Sequence, residues 1–131
     1  METEKIDRLP DAELDVMLVL WNAHEPMKTS AILEVLNREK NWSMSTLQAL
    51  LSRLSDRGFV RAETLSRLKY YSPAVREEEY RIKETKSFLK KLHGNSFKSL
   101  VLSLIDGDAI DGDDLEEIET MLREAGAKNG K

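Results

Sequence analysis

The sequence from Trp42 to Pro73 reads WSMSTLQALLSRLSDRGFVRAETLSRLKYYSP, and this stretch decides the fold of the chain. Leucines recur in its first half at the spacing of one helical face, and Gly58 follows as a residue suited to end a helix. Two short runs with β-forming residues come next, at 59–63 and 68–72, joined by a polar turn over 64–67. We therefore predict a mainly α fold with a small β-hairpin wing, a winged helix-turn-helix.

Two further helices are predicted before this stretch. The first has apolar residues at i, i+3, i+4 and i+7, the spacing of one buried face: Leu14, Met17, Leu18 and Trp21. The sequence His24-Glu25-Pro26 ends that helix. The second is predicted from about 29 to 39 and should bury three apolar residues: Ile32, Val35 and Leu36. Ser43 is a suitable N-cap for the helix that follows.

The third helix, at about 43–57, has a small, polar outer face. Its inward face carries the leucines Leu47, Leu50, Leu51 and Leu54. A recognition helix contacts base edges through its N-terminal residues, and a wing beside it reaches a phosphate or the minor groove. We therefore expect this face and the cations near the wing tip to contact DNA. The predicted DNA-binding residues are Ser43, Ser45, Thr46, Gln48, Ala49, Ser52, Arg53, Arg67 and Lys69.

Composition limits the class of protein. With 131 residues the chain can form one compact domain or two small ones. It has no cysteine, which excludes disulfides, zinc fingers and cysteine nucleophiles. The N-terminus is charged, and no apolar run approaches the roughly 20 residues of a membrane helix. We expect a cytoplasmic protein, and since no catalytic constellation is evident, neither an enzyme nor a cofactor is predicted.

Charge is distributed unevenly along the chain. The net charge is −4, but residues 38–73 hold seven bases and three acids. Residues 106–124 hold nine acids and one base. Phosphate binding depends on the local field, because salt screens charges beyond roughly 10 Å. The stretch that contains the predicted recognition helix and wing is thus the part of the chain suited to DNA.

The chain after Pro73 has a different character. A highly charged helix is predicted at about 76–93, followed by a short apolar helix capped by Ser96 and by a last helix. Three short helices of this size bury little by themselves, so a partner copy should complete their core. We expect a winged-helix DNA-binding domain at 1–74 and a helical dimerisation domain at 75–131. Its predicted dimer contacts are Phe88, Leu89, Leu92, Phe97, Leu100, Val101, Leu104, Ile105, Leu115, Ile118 and Leu122.

Metal sites are not predicted. The sequence DGDAIDGDD at 106–114 has acids at three positions of a calcium loop, but Ile110 stands where an oxygen ligand is needed and Asp111 replaces the required glycine. We interpret this segment as a solvated acidic turn that caps the last helix. His24 and His93 are far apart and have no partners at ligand spacing.

Three motifs in order resemble the penicillinase-repressor family of bacterial winged-helix regulators, the BlaI/MecI/CopY group. They are LPDAELDVMLVLW at 9–21, WSMSTLQALLSRLSDRGFV at 42–60 and YYSP at 70–73, with weaker similarity at 77–80 and 94–106. The resemblance implies a homodimer that binds a palindromic operator and represses transcription until a signal releases it. Its operator-reading positions fall on Ser45, Thr46 and Gln48.

The inducing signal is not carried over by the resemblance. In the β-lactam-responsive members an Asn-Phe bond is cut, and the matching position here is Ser103-Leu104. The copper-responsive members have a C-terminal cysteine cluster, which this chain lacks. An upstream sensor or protease is therefore not identified. Two alternatives are a winged-helix repressor that senses a small molecule, and a winged-helix interaction scaffold that does not bind DNA.

Overall fold

The structure, a computed structural model, describes residues 8–128. The chain divides into two compact units, the first reaching Thr85 and the second beginning at Lys86. In chain order the elements are α1 (Asp11–Ala23), β1 (Met27–Lys28), α2 (Thr29–Leu36), α3 (Met44–Asp56), β2 (Val60–Leu65), β3 (Leu68–Pro73), α4 (Glu77–His93), α5 (Phe97–Asp106) and α6 (Gly112–Lys128).

The core of the first unit lies between helices α1 to α3 and a three-stranded antiparallel sheet of order β1-β3-β2. The four inward leucines of α3 are buried, which confirms the predicted face of that helix. Gly58 has φ of +80°, as expected of the residue that reverses the chain into β2. The apolar residues of this core are Leu9, Val16, Met17, Leu20, Trp21, Ile32, Leu36, Leu47, Leu50, Leu51, Leu54, Phe59, Val60, Tyr71 and Tyr80.

The predicted buried face of α1 was partly wrong. Leu18 is 40% exposed, whereas Val16 and Leu20 are fully buried. The sequence from 14 to 21 is apolar on nearly all sides, so the spacing of its hydrophobic residues did not single out one face. A similar but smaller difference occurs in α2, where Val35 is only half-buried.

The connection between α2 and α3 is held by one amide side chain. The α2 helix ends at Leu36 instead of the predicted 39. The side-chain nitrogen of Asn37 donates to the backbone oxygen of Trp42 at 3.0 Å, and its Oδ1 accepts from the Trp42 N–H at 2.9 Å. This pair of hydrogen bonds closes the connecting loop and thereby fixes where α3 begins.

The sheet is larger than the sequence predicted. Strand β1 was missed, because two residues are too few to show a strand's alternation. Met27 pairs with Tyr71 and Lys28 with Tyr70, so β1 joins the start of α2 to the wing. The two wing strands are also longer than predicted and leave a turn of only two residues, Ser66 and Arg67. Both have positive φ, +50° and +70°, as a tight type I′ hairpin turn requires.

Tyr80 fastens the first turns of α4 to the core of the first unit. Its hydroxyl oxygen accepts a hydrogen bond from the Leu9 N–H at 2.9 Å. Its ring lies 5.8 Å from that of Trp21 and 6.0 Å, edge to face, from that of Phe59. Burial raises the pKa of the Tyr80 phenol, which keeps it in the neutral form that packs in this core. The domain boundary after residue 74 stays a prediction.

The second unit contains the end of α4 together with α5 and α6. Ser96 caps α5 by accepting from the Ser99 N–H at 3.0 Å, as predicted. The Asp111 side chain accepts from the Asp114 N–H at 2.8 Å, which confirms that the acidic turn caps α6. No side chain of α5 is fully buried. Large apolar side chains that are exposed in this unit include Phe88, Leu92, Phe97, Leu102, Ile105, Met121 and Leu122.

Candidate nucleic-acid interface

The N-terminus of α3 carries a cluster of three hydroxyls. Ser43 caps the helix, since its Oγ accepts from the Thr46 N–H at 3.1 Å. The same oxygen lies 3.1 Å from the hydroxyl of Ser45 and 3.1 Å from that of Thr46. A hydroxyl has one donor and two acceptor positions, so these groups keep capacity for a further partner. The cap thus holds three exposed hydroxyls in place at the N-terminal end of the helix.

The outer face of α3 and the wing are accessible as the sequence predicted. All nine predicted DNA-binding side chains are exposed. Ala49 lies in the middle of the outer face, opposite the buried leucines, and its small side chain leaves the helix backbone open to close approach. Contact between these nine side chains and DNA stays a prediction, but all nine have the exposure that such contact needs.

A groove of about 460 Å³ lies between α3 and the wing. Gln48 and Ser52 line it from the helix, and Arg67 and Lys69 line it from the wing. Four of the nine predicted residues therefore share one polar surface. Asp56 also lines this groove, near the end of α3. The wing places two cations opposite the neutral part of the helix face.

One charged residue that sequence reasoning missed is Glu13. It is only 4% exposed, although it lies in the first turn of α1, where the helix dipole favours an acid without requiring its burial. Arg57 donates to its Oε1 at 3.1 Å, and Arg53 lies 4.0 Å from its Oε2. The helical spacing did carry a signal for this burial, because Glu13 stands one turn before the buried pair Val16 and Met17 and so lies on the same face of α1. This contact ties α1 to the C-terminal end of α3.

The basic stretch at 38–73 is weaker than its residue count suggests. Arg57 and Arg53 both lie next to Glu13, and Lys40 lies 3.2 Å from Asp15. These acids stand on α1, outside the counted stretch, and the fold brings them beside it. Arg53, predicted to contact DNA, is exposed but close to a buried carboxylate. We therefore expect the wing cations to supply a larger share of phosphate attraction than the charge count implied.

The helix pair α2 and α3, the sheet and the exposed wing define a winged helix-turn-helix, a class whose members commonly bind duplex DNA through the second helix of the pair. The family model for penicillinase repressors matches residues 9–124. The chain belongs to the penicillinase-repressor family.

Two relatives align with this chain over most of its length. The penicillinase repressor of Bacillus licheniformis is 31% identical over 121 residues, 92% of this chain and 94% of its own. The methicillin resistance regulatory protein MecI of Staphylococcus aureus strain N315 is 28% identical over 90% of this chain and 95% of its own. The solution structure of monomeric B. licheniformis BlaI with the blaP half-operator covers 57% of this chain and 90% of its own, with 32% identity and a TM-score of 0.50.

Within residues 8–128, no group of three or more histidine, aspartate or glutamate side chains is arranged to hold a metal ion. Over the same residues, none of the helices combines the length and the apolar character that crossing a membrane requires.

Proposed function

We propose that this chain is a homodimeric transcriptional repressor that binds a pseudo-palindromic operator through α3 and is released by a signal. One α3 helix of each copy enters a major groove, at half-sites about one helical turn apart or a multiple of that. The wing lies along the adjacent backbone. The operator-reading residues are those at the N-terminal half of the outer face, Ser45, Thr46 and Gln48.

The observation that carries the proposal is the exposed polar face of α3 beside a groove lined by Arg67 and Lys69. A DNA-binding surface needs both parts, since polar groups read base edges and cations hold the phosphates. BlaI, 32% identical where the two structures superpose, has been solved with a half-operator. That superposition covers 57% of this chain, which supports DNA as the partner.

Dimer formation is supported by the second unit. Helix α5 is strongly apolar, yet none of its side chains is buried within a single chain. Exposed apolar surface of this extent indicates a missing partner. We propose that a second copy covers it through the predicted residues of α4, α5 and α6, such as Phe88, Phe97 and Leu122. A symmetric dimer would also account for a palindromic operator.

The proposal is tested by selecting bound duplexes from a random pool at moderate salt and sequencing the recovered DNA. We expect a pseudo-palindromic consensus. Binding to it should weaken steeply with salt, with a slope of roughly −0.9 for each phosphate neutralised. Enrichment of no sequence over non-specific duplex would contradict the proposal and favour an interaction scaffold.

Replacing Gln48 by alanine should relax base preference at one position of each half-site. Gln48 is exposed near the start of α3, and an amide that forms two hydrogen bonds with adenine contributes about 1–3 kcal/mol of discrimination. The measurement is the affinity for a panel of operators, each changed at one base pair. Asn22→Ala, which removes an exposed amide from α1, serves as the control and should leave all preferences unchanged. An unaltered panel for Gln48→Ala would exclude this role.

Replacing Arg67 by glycine should stabilise the fold and weaken DNA binding at the same time. Arg67 has φ of +70°, a conformation that glycine adopts without strain, so unfolding free energy should rise by roughly 0.5–1 kcal/mol. Loss of the cation should lower affinity and flatten the salt dependence. The matched control is Ser66→Gly, which relieves a similar φ of +50° and keeps the cation. If both variants bind DNA equally well, Arg67 makes no contact.

A further inference from the structure

The end of the wing carries an exposed pair of leucines. Leu65 and Leu68 are directly opposite each other, as the last pair before the turn. They are 54% and 47% exposed, and neither belongs to the core of the first unit. A single exposed leucine on a protein surface is ordinary, but two in cross-strand contact form a continuous apolar patch at a protruding tip. Such a patch indicates a surface that is covered when the protein functions.

The same tip combines this patch with unfavourable backbone geometry and positive charge. Ser66 and Arg67, between the two leucines, both have positive φ, although neither is glycine. Strained backbone of this kind concentrates at binding sites, where function outweighs its effect on stability. The wing from 60 to 73 carries the bases Arg61, Arg67 and Lys69 against the single acid Glu63. The partner should therefore offer negative charge beside an apolar surface.

We propose that Leu65 and Leu68 contact the deoxyribose walls of the DNA minor groove next to the half-site occupied by α3. The minor groove has phosphates on its rims and sugars along its walls, and proteins that enter it use apolar side chains such as leucine together with cations. Continuity with the DNA-binding surface favours this partner, because Leu68 lines the same groove as Gln48 of α3. This inference rests on the proposed function.

The experiment compares wild-type protein with the double variant Leu65→Thr/Leu68→Thr on the operator recovered by selection. Threonine keeps a strong β propensity, so the hairpin should persist and the melting temperature should change little. Hydroxyl-radical footprinting reports the exposure of each sugar, and dimethyl sulfate protection reports guanine N7 in the major groove. Leu18→Thr is the control, since it removes a leucine of comparable exposure, 40%, from α1.

Wild-type protein should protect sugars beside each half-site. The double variant should lose that protection, keep the major-groove protection and bind roughly tenfold more weakly, the order expected for losing burial of two half-exposed leucines. Leu18→Thr should behave as wild type. If the double variant gives the wild-type footprint and affinity, the inference is wrong and the proposed function stands. If wild-type protein selects no duplex, the proposed function itself fails, and this inference with it.

Discussion

Replacing Ala49 by glutamate is expected to weaken operator binding by at least about 100-fold, equivalent to roughly 3 kcal/mol. Ala49 is exposed in the middle of the outer face of α3, where a small side chain permits close approach to base edges. In the proposed complex, glutamate adds bulk at that position and brings a negative charge close to the phosphates. Like charges brought together at an interface oppose binding by several kcal/mol. Because the site is exposed and helical, stability should change little.

Fluorescence anisotropy titration with a labelled operator measures this effect, and urea denaturation verifies the fold. The matched control is Asn22→Glu, which adds the same charge to an exposed position of α1. It should reduce affinity only slightly, through the small change in net charge. Equal losses of operator affinity for the two variants would show that the outer face of α3 does not contact the DNA.

Replacing Glu13 by alanine is expected to destabilise the first unit by about 2–4 kcal/mol. The carboxylate is buried and accepts a hydrogen bond from Arg57 at 3.1 Å. Its removal leaves the Arg57 guanidinium next to apolar groups, including the Phe59 ring at 5.6 Å. The Arg57 side chain is 31% exposed, so water offsets part of this effect, which sets the estimate below that for a fully buried pair. Urea denaturation monitored by tryptophan fluorescence measures the change.

A double-mutant cycle separates the ion pair from packing. Glu13→Ala, Arg57→Ala and the combined variant should show non-additive losses, because each single change leaves the other group without its partner. Glu13→Gln keeps the size of the side chain and a hydrogen-bonding oxygen, and should lose less stability than Glu13→Ala. Strict additivity in the cycle would mean that Glu13 acts through shape alone.

The parts of the fold that the sequence predicted are those specified locally. Helix α3 was predictable because its leucines occupy one clear face and Ser43 supplies a side-chain cap. The orientation of the candidate site followed from the same periodicity, since an outer face is what remains once the buried face is known. Gly58 and the caps at Ser96 and Asp111 were likewise set by a few neighbouring residues.

The parts that escaped prediction depend on contacts between distant segments. Strand β1 exists because Met27 and Lys28 pair with Tyr71 and Tyr70, more than forty residues later. The burial of Glu13 depends on its contact with Arg57, the residue that directly follows α3 and stands 44 positions later in the chain. The two-residue turn has serine and arginine where a type I′ turn ordinarily has asparagine and glycine, so its sequence carried no usual turn signal.

The position of Tyr80 determines how short a self-sufficient DNA-binding fragment can be. Its ring packs against Trp21 and Phe59, and its hydroxyl satisfies the Leu9 N–H, yet it stands seven residues beyond the last strand. A polypeptide ending at β3 would expose the rings of Trp21 and Phe59 and would leave the buried Leu9 N–H without an acceptor. Proteolytic trimming from the C-terminal side should therefore pause beyond Tyr80, and the fragment that accumulates there would retain a closed core.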